Sequence, residues 1–301
     1  MRIGIIGIGD IGKKAYIPLL TQRKDTELIL CTRKDEVLRE VMDQYHLSQG
    51  VHTLEELIEL KPVAIFITSA TQAHFKMAQQ CLEAGISVHL DKPMSLHYEE
   101  SQLLTQLAQQ NKVFLGVGFN RRFVPLIKRT HDIGVPDLVV YQKNRSLGAD
   151  EVRRFIVEDY IHVIDTSRYL LQNEISEVRV QAKKEGSKLL NVVVQLITPV
   201  NSALCIMNYQ NGCTEEVIEV MHPYKKTVIK NLTTYEVYEQ GTHQIELPND
   251  WVSTLKKRGF VEMIQAFYDQ LEGKESLCVH AQDALKTHEL VERIVKTIEA
   301  Q

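Results

Sequence analysis

The run Gly7-Ile8-Gly9-Asp10-Ile11-Gly12 follows directly on the apolar stretch Arg2-Ile3-Gly4-Ile5-Ile6 and leads into sequence of helical period. A strand, a turn with three glycines at this spacing and the opening of a helix constrain the chain more tightly together than any one of them alone. One glycine makes the tight turn, a second lets backbone approach a pyrophosphate, and a third lets helix and strand pack closely. The amide donors and positive dipole end at the start of the helix favour a diphosphate there. The turn therefore predicts a dinucleotide cradle formed by Gly7, Ile8, Gly9, Asp10, Ile11 and Gly12.

Through residue 118 short apolar runs alternate with longer amphipathic ones, the pattern of βαβ units around a parallel sheet. Strands are expected at 2–7, 26–31, 63–68, 86–90 and 113–117, with helices over 35–46, 72–84 and 95–110. Pro18 falls within the first helix and should shorten or kink it, because its ring removes an amide donor and crowds the preceding turn. After residue 119 the pattern changes to one helical run, 157–171, and many strands: 137–145, 176–185, 189–198, 202–209, 214–221, 226–232 and 234–239. Short joins such as Asn211-Gly212 suggest hairpins and a large, mostly antiparallel sheet covered by helices on one side. Two closing helices are expected at 259–272 and 280–300, packing across a domain face. The expected fold class is α/β: a Rossmann domain over 1–118, then an α+β domain over 119–301 for substrate and dimerisation.

The chain has 301 residues, 44% hydrophobic and 25% charged, enough to fold throughout as two domains. With 35 Lys and Arg against 39 Asp and Glu, the net charge of -4 offers no bulk attraction to nucleic acid or an anionic membrane. The five cysteines have no metal-ligand spacing, no histidine pair resembles a zinc site, and the thiols read as reduced. The first strand begins at Arg2 and no apolar run reaches the ~20 residues of a membrane span, so the expected setting is the cytoplasm.

The second strand ends at Cys31-Thr32-Arg33-Lys34, where a carboxylate would grip an adenosine 2'-hydroxyl. A hydroxyl and two cations stand there instead, with no acid before Asp35. Thr32, Arg33 and Lys34 suit a 2'-phosphate, which favours NADP, with NAD as the alternative.

Four further segments resemble the Gfo/Idh/MocA family of glucose-fructose oxidoreductase, inositol dehydrogenase and related sugar dehydrogenases. Thr68-Ser69-Ala70-Thr71-Gln72-Ala73-His74 resembles its nicotinamide-side loop, and Asp91-Lys92-Pro93 its Glu-Lys-Pro signature. Phe119-Asn120-Arg121-Arg122-Phe123 is similar to its domain junction. A helix motif of Asp, three residues, His, two residues and Asp is matched by Glu158 to Asp165, with Glu in place of the first Asp. The 159–166 string and Trp251 to Phe260 resemble the MviM branch. The resemblance implies an NAD(P)-dependent oxidoreductase whose cofactor touches Thr68, Ser69, Ala70, His74, Asp91, Lys92 and Pro93, and whose subunits form homodimers or larger assemblies.

Hydride transfer from an alcohol needs a group to accept the hydroxyl proton, and the reverse needs a donor. Lys92 and His162 fit these roles. Lys92 lies at the carboxyl edge of the sheet, where open α/β folds bind ligands, and Pro93 restricts its backbone. Glu158, four residues before His162, is expected to orient the imidazole, although Asp159 is the competing acid. Asn120, Arg121, Asp159 and His162 are expected to line the substrate pocket. The expected substrate is a sugar, polyol or related carbonyl compound, and the rival reading is a non-catalytic NADP(H) sensor.

Overall fold

Ile3, Ile5 and Ile6 are buried on both faces of β1 (Arg2–Ile6), as a central parallel strand requires. In the computed structural model, which describes Met1–Gln301, the chain forms two units. The first holds Met1–Gly118 and Val261–Leu285; the second holds Phe119–Phe260 and Lys286–Gln301.

In the first unit β1 is followed by a π-helical turn at Gly12–Tyr16 and α1 (Ile17–Leu20). Pro18 has no amide hydrogen to return to the previous turn, and the helix widens just before it. The Ile17 amide bonds to the Gly12 carbonyl across the widened turn. Then come β2 (Glu27–Cys31), α2 (Asp35–Tyr45), β3 (Gly50–Val51), α3 (Leu54–Glu59) and β4 (Ala64–Ile67). Thr53 and Glu56 form a capping box that starts α3. α4 (Thr71–Glu83), β5 (Ser87–Asp91), α5 (Tyr98–Gln110) and β6 (Leu115–Gly118) complete the alternation. All neighbouring strands run parallel, in the order β3-β2-β1-β4-β5-β6. This is a Rossmann sheet, as the alternating pattern predicts.

The second unit opens with a 3-10 turn at Asn120–Phe123 and α6 (Pro125–His131). β7 (Leu138–Ser146), β8 (Asp150–Glu151) and α7 (Val152–Arg154) follow. A second π-helical turn, Phe155–Tyr160, leads into α8 (Ile161–Leu171). The remaining strands are β9 (Glu177–Glu185), β10 (Lys188–Ile197), β11 (Ser202–Asn208), β12 (Gln210–His222), β13 (Lys225–Lys230), β14 (Thr234–Glu239) and β15 (Thr242–Glu246). Helices α9 (Thr254–Lys257), α10 (Phe260–Leu271) and α11 (Ala281–Glu299) close the chain. α11 passes from the first unit to the second at Leu285.

The nine-stranded sheet is mixed. β7 pairs antiparallel with β12 but parallel with β11. Asn211-Gly212 is consequently not the hairpin turn its dipeptide suggests: both residues lie at the bulged start of β12, and β11 and β12 are separated by β7. Val192, Val194 and Leu196 point into the core, whereas Val193, Gln195 and Ile197 are half-buried on the opposite face. α8 covers the core face over β7 and β11, and the Tyr160 hydroxyl donates to the Cys205 carbonyl at 2.8 Å.

Candidate active site

The glycine turn of the first unit matches three separate steric demands. Gly7 has φ +95°, and a Cβ there would run into the Ser69 backbone. A Cβ on Gly12 would lie 2.9 Å from the Gly7 carbonyl oxygen and 3.0 Å from Thr68 Oγ1. Gly9 faces open space, with nothing within 4 Å of the corresponding position. Backbone is thus accessible at Gly9, where a diphosphate would approach, while the other two glycines serve packing. Thr68 Oγ1 donates to the Gly7 carbonyl at 2.8 Å and ties the end of β4 to the turn. Asp10 pairs with Lys14 at 2.6 Å on the surface, and Ile8 and Ile11 are half-buried beside it.

At the end of β2, Thr32 Oγ1 accepts from the Lys34 amide at 3.4 Å. Arg33 and Lys34 are exposed and form no ion pair. Asp35 is engaged by Arg39 at 2.6 Å, one helical turn on. The cations are therefore uncompensated where an adenosine ribose would lie.

Beyond β4, Ser69 and Ala70 lead into α4, where His74 is buried. Its Nδ1 is 2.7 Å from the Pro93 carbonyl and its Nε2 is 3.0 Å from the Ser69 carbonyl. His74 thus bridges the two loops that the sequence resemblance assigns to the nicotinamide side. Asp91 ends β5, Lys92 follows it at the carboxyl edge, and the Lys92-Pro93 bond is cis. Asp91 Oδ1 accepts a 2.8 Å hydrogen bond from the wholly buried Tyr16. Burial raises the Asp91 pKa, against the opposing pull of Lys92, the Tyr16 hydroxyl and His74.

In the second unit His162 opens α8 and is buried. The expected α-helical spacing begins only at Ile161, because Glu158 lies in the π turn before it. Glu158 Oε2 is 3.3 Å from Arg154 Nε. Asp159 accepts from Lys143, from Arg145 at 3.1 Å and from the Tyr209 hydroxyl at 3.1 Å. Burial alone would raise Asp159, but Lys143 and Arg145 hold it well below the carboxylate range. Asn120 donates to the Arg258 carbonyl at 2.9 Å, and Arg121 grips Glu216 through two bonds of 2.6 and 3.0 Å.

Arg122 makes a second fork, to Asp165, at 2.6 and 2.9 Å, and Thr287 donates to the same carboxylate at 2.9 Å. This pair joins the junction turn to α8. Both residues lie in segments that resemble the family, but neither residue type nor spacing marks them as a pair. Tyr16 and His89 were also missed, since one reads as helix core and the other as strand core. No group of three or more His, Cys, Asp or Glu side chains could hold a metal ion.

A parallel doubly wound sheet with an open glycine turn at its carboxyl edge defines a dinucleotide-binding Rossmann unit, and that unit is similar to the Gfo/Idh/MocA family of NAD(P)-dependent oxidoreductases. Residues 1–119 match the family model described as oxidoreductase family, NAD-binding Rossmann fold. Residues 134–240 match that of the YceM-like C-terminal domain. The chain is 27% identical to the YceM protein of Salmonella typhimurium over 98% of its own length and 97% of that protein. A Gfo/Idh/MocA family oxidoreductase from Vibrio cholerae has a crystal structure superposing with a TM-score of 0.93 at 27% identity, covering 100% of this chain and 99% of that one. Two Bacillus subtilis enzymes differ in cofactor. The scyllo-inositol 2-dehydrogenase (NADP(+)) IolW is 28% identical over 51% of this chain and 44% of that one. The scyllo-inositol 2-dehydrogenase (NAD(+)) is 27% identical over 72% and 66%.

Proposed function

We propose that the chain is an NADP-dependent dehydrogenase or reductase acting on a sugar, polyol or related carbonyl compound. The observation that carries this reading is that the open glycine turn and Lys92 follow the carboxyl ends of β1 and β5 in one parallel sheet. Gly7, Ile8, Gly9, Asp10, Ile11 and Gly12 would hold the diphosphate, and Thr32, Arg33 and Lys34 the 2'-phosphate. Thr68, Ser69, Ala70, His74, Asp91 and Pro93 would bound the nicotinamide side. When bound, the cofactor supplies or takes up the hydride.

Lys92 and His162 exchange the proton at the substrate hydroxyl, and Glu158 orients His162. The commitment of Asp159 to Lys143, Arg145 and Tyr209 supports Glu158 for that task. Asn120, Arg121 and Asp159 form the substrate side as anchored wall residues. The exposed free thiol Cys213 suits the cytoplasm, where thiols stay reduced.

Lys92→Ala should retain nucleotide affinity and lose ~10²–10⁴-fold in turnover, the usual contribution of one proton-transfer group. Stopped-flow absorbance at the reduced nicotinamide band, across sugars, polyols and keto compounds, reads this directly. Undiminished turnover would remove Lys92 from the mechanism.

A further inference from the structure

The π turn after the glycine cradle sends Tyr16 into the core of the first unit, towards the end of β5. Its hydroxyl lies between two groups, Asp91 Oδ1 at 2.8 Å and His89 Nε2 at 3.3 Å. A phenol has one hydrogen to give, and a carboxylate can only accept it. The tyrosine oxygen must then accept from His89, which makes Nε2 the protonated nitrogen. Two observations agree with that direction. Burial pushes the His89 pKa down to about 3, so the ring is neutral and carries a single N–H. Its Nδ1 is buried with no hydrogen-bond partner, which costs less for a lone pair than for a stranded donor. The chain of donors runs one way, from His89 through Tyr16 to Asp91.

We propose that Tyr16, supported by His89, is a positioning residue that holds Asp91 as an ionised acceptor beside Lys92, linking the helix of the nucleotide cradle to the proton-exchange lysine. This rests on the reading of Lys92 given above. Gly118 at the end of β6 is shaped around the pair: a Cβ there would lie 2.9 Å from the Tyr16 hydroxyl and 3.0 Å from Asp91 Oδ1. The titratable groups acting on Asp91 are Tyr16, Lys92 and His74, with His89 behind Tyr16. The Tyr16 hydrogen bond favours the carboxylate, so removing it moves the Asp91 titration to higher pH. An Asp91 that must be ionised for turnover sets the acid limb of the kcat profile, and that limb moves with it.

Carbon-13 NMR of the Asp91 carboxyl in nucleotide-free protein, wild type against Tyr16→Phe, tests the link without any turnover. The titration should move to higher pH in Tyr16→Phe, with the acid limb of kcat moving in the same direction, and Asp91→Asn should abolish that limb. An unchanged Asp91 titration or an unmoved acid limb in Tyr16→Phe would overturn the proposal. Nitrogen-15 NMR of wild-type His89 supplies a second test that needs no variant: a proton on Nε2 is expected, and one on Nδ1 would break the chain. Failure of the Lys92 assignment would instead show as full turnover in Lys92→Ala, with the Asp91 titration still responding to Tyr16.

Discussion

Arg33 and Lys34 stand at the end of β2 with no carboxylate paired to them, and the nearest acid in sequence, Asp35, is taken by Arg39. A guanidinium and an ammonium left uncompensated cost little in water and gain charge-assisted bonds when a phosphate arrives. Replacing both by neutral residues, Arg33→Ser with Lys34→Ser, should therefore lower NADPH affinity by about tenfold or more and leave NADH affinity nearly unchanged, a difference of ~1.4 kcal/mol. Parallel fluorescence titrations with the two nucleotides check it, and equal losses for both would count against a 2'-phosphate contact. The sequence makes these residues legible because spacing from the glycine turn locates them. Tyr16 and His89 are not legible that way. They are 73 positions apart, their types are ordinary for a helix and a strand core, and only folding brings the hydroxyl to the ring.

β7 and β12 carry a buried charge network, with Arg121 against Glu216 and Lys143 against Asp159. Burial would raise Glu216, but the Arg121 charge and its bidentate bonds hold it down to about 2. Its folded pKa is depressed, so the stability it contributes is complete above the ordinary glutamate range and is lost as pH falls towards 2. Acid unfolding followed by circular dichroism should show a shallower stability loss across that window in Glu216→Gln than in wild type, the variant starting from a less stable state. Identical slopes would mean that the ion pair contributes nothing. Strands such as β10 and β11 are legible from alternation alone. β3, β8 and β15 are not, because two residues carry no period and β15 is exposed on both faces. Asn211-Gly212 misleads for a related reason: a dipeptide reports local bend, whereas strand order depends on partners far along the chain. The two π turns share this limit, since the wider turn at Gly12–Tyr16 follows from Pro18, while nothing in the sequence marks the one at Phe155–Tyr160.

At the scale of the whole molecule, the second unit keeps one face of its large sheet open. Val193, Ile197, Leu204 and Ile206 are half-buried there, within a protein that has a helix layer on the other face. Apolar sheet surface of this kind is uncommon on monomers and is covered most simply by a two-fold copy. Light scattering should give the mass of a homodimer or a larger symmetric assembly, and Ile206→Glu should reduce it; a protomer mass of 34.5 kDa for the wild type would refute self-association. The Rossmann half was open to sequence reasoning because its strands, helices and glycine turn obey separate local rules that agree. Substrate identity was not, because the residues proposed to face a substrate are polar and already tied to other parts of the fold, as Arg121 is to Glu216.

A diphosphate cradle requires above all backbone access at Gly9, where no protein atom would oppose a side chain. Calorimetric titration of wild type and Gly9→Ala with NADPH, alongside their thermal melts without nucleotide, measures this directly. We expect nucleotide heat in the wild type, an unchanged melting temperature in Gly9→Ala, and an affinity for NADPH lowered by about tenfold or more. Silence from the wild type with both NADPH and NADH, or full affinity in Gly9→Ala, would contradict the cradle.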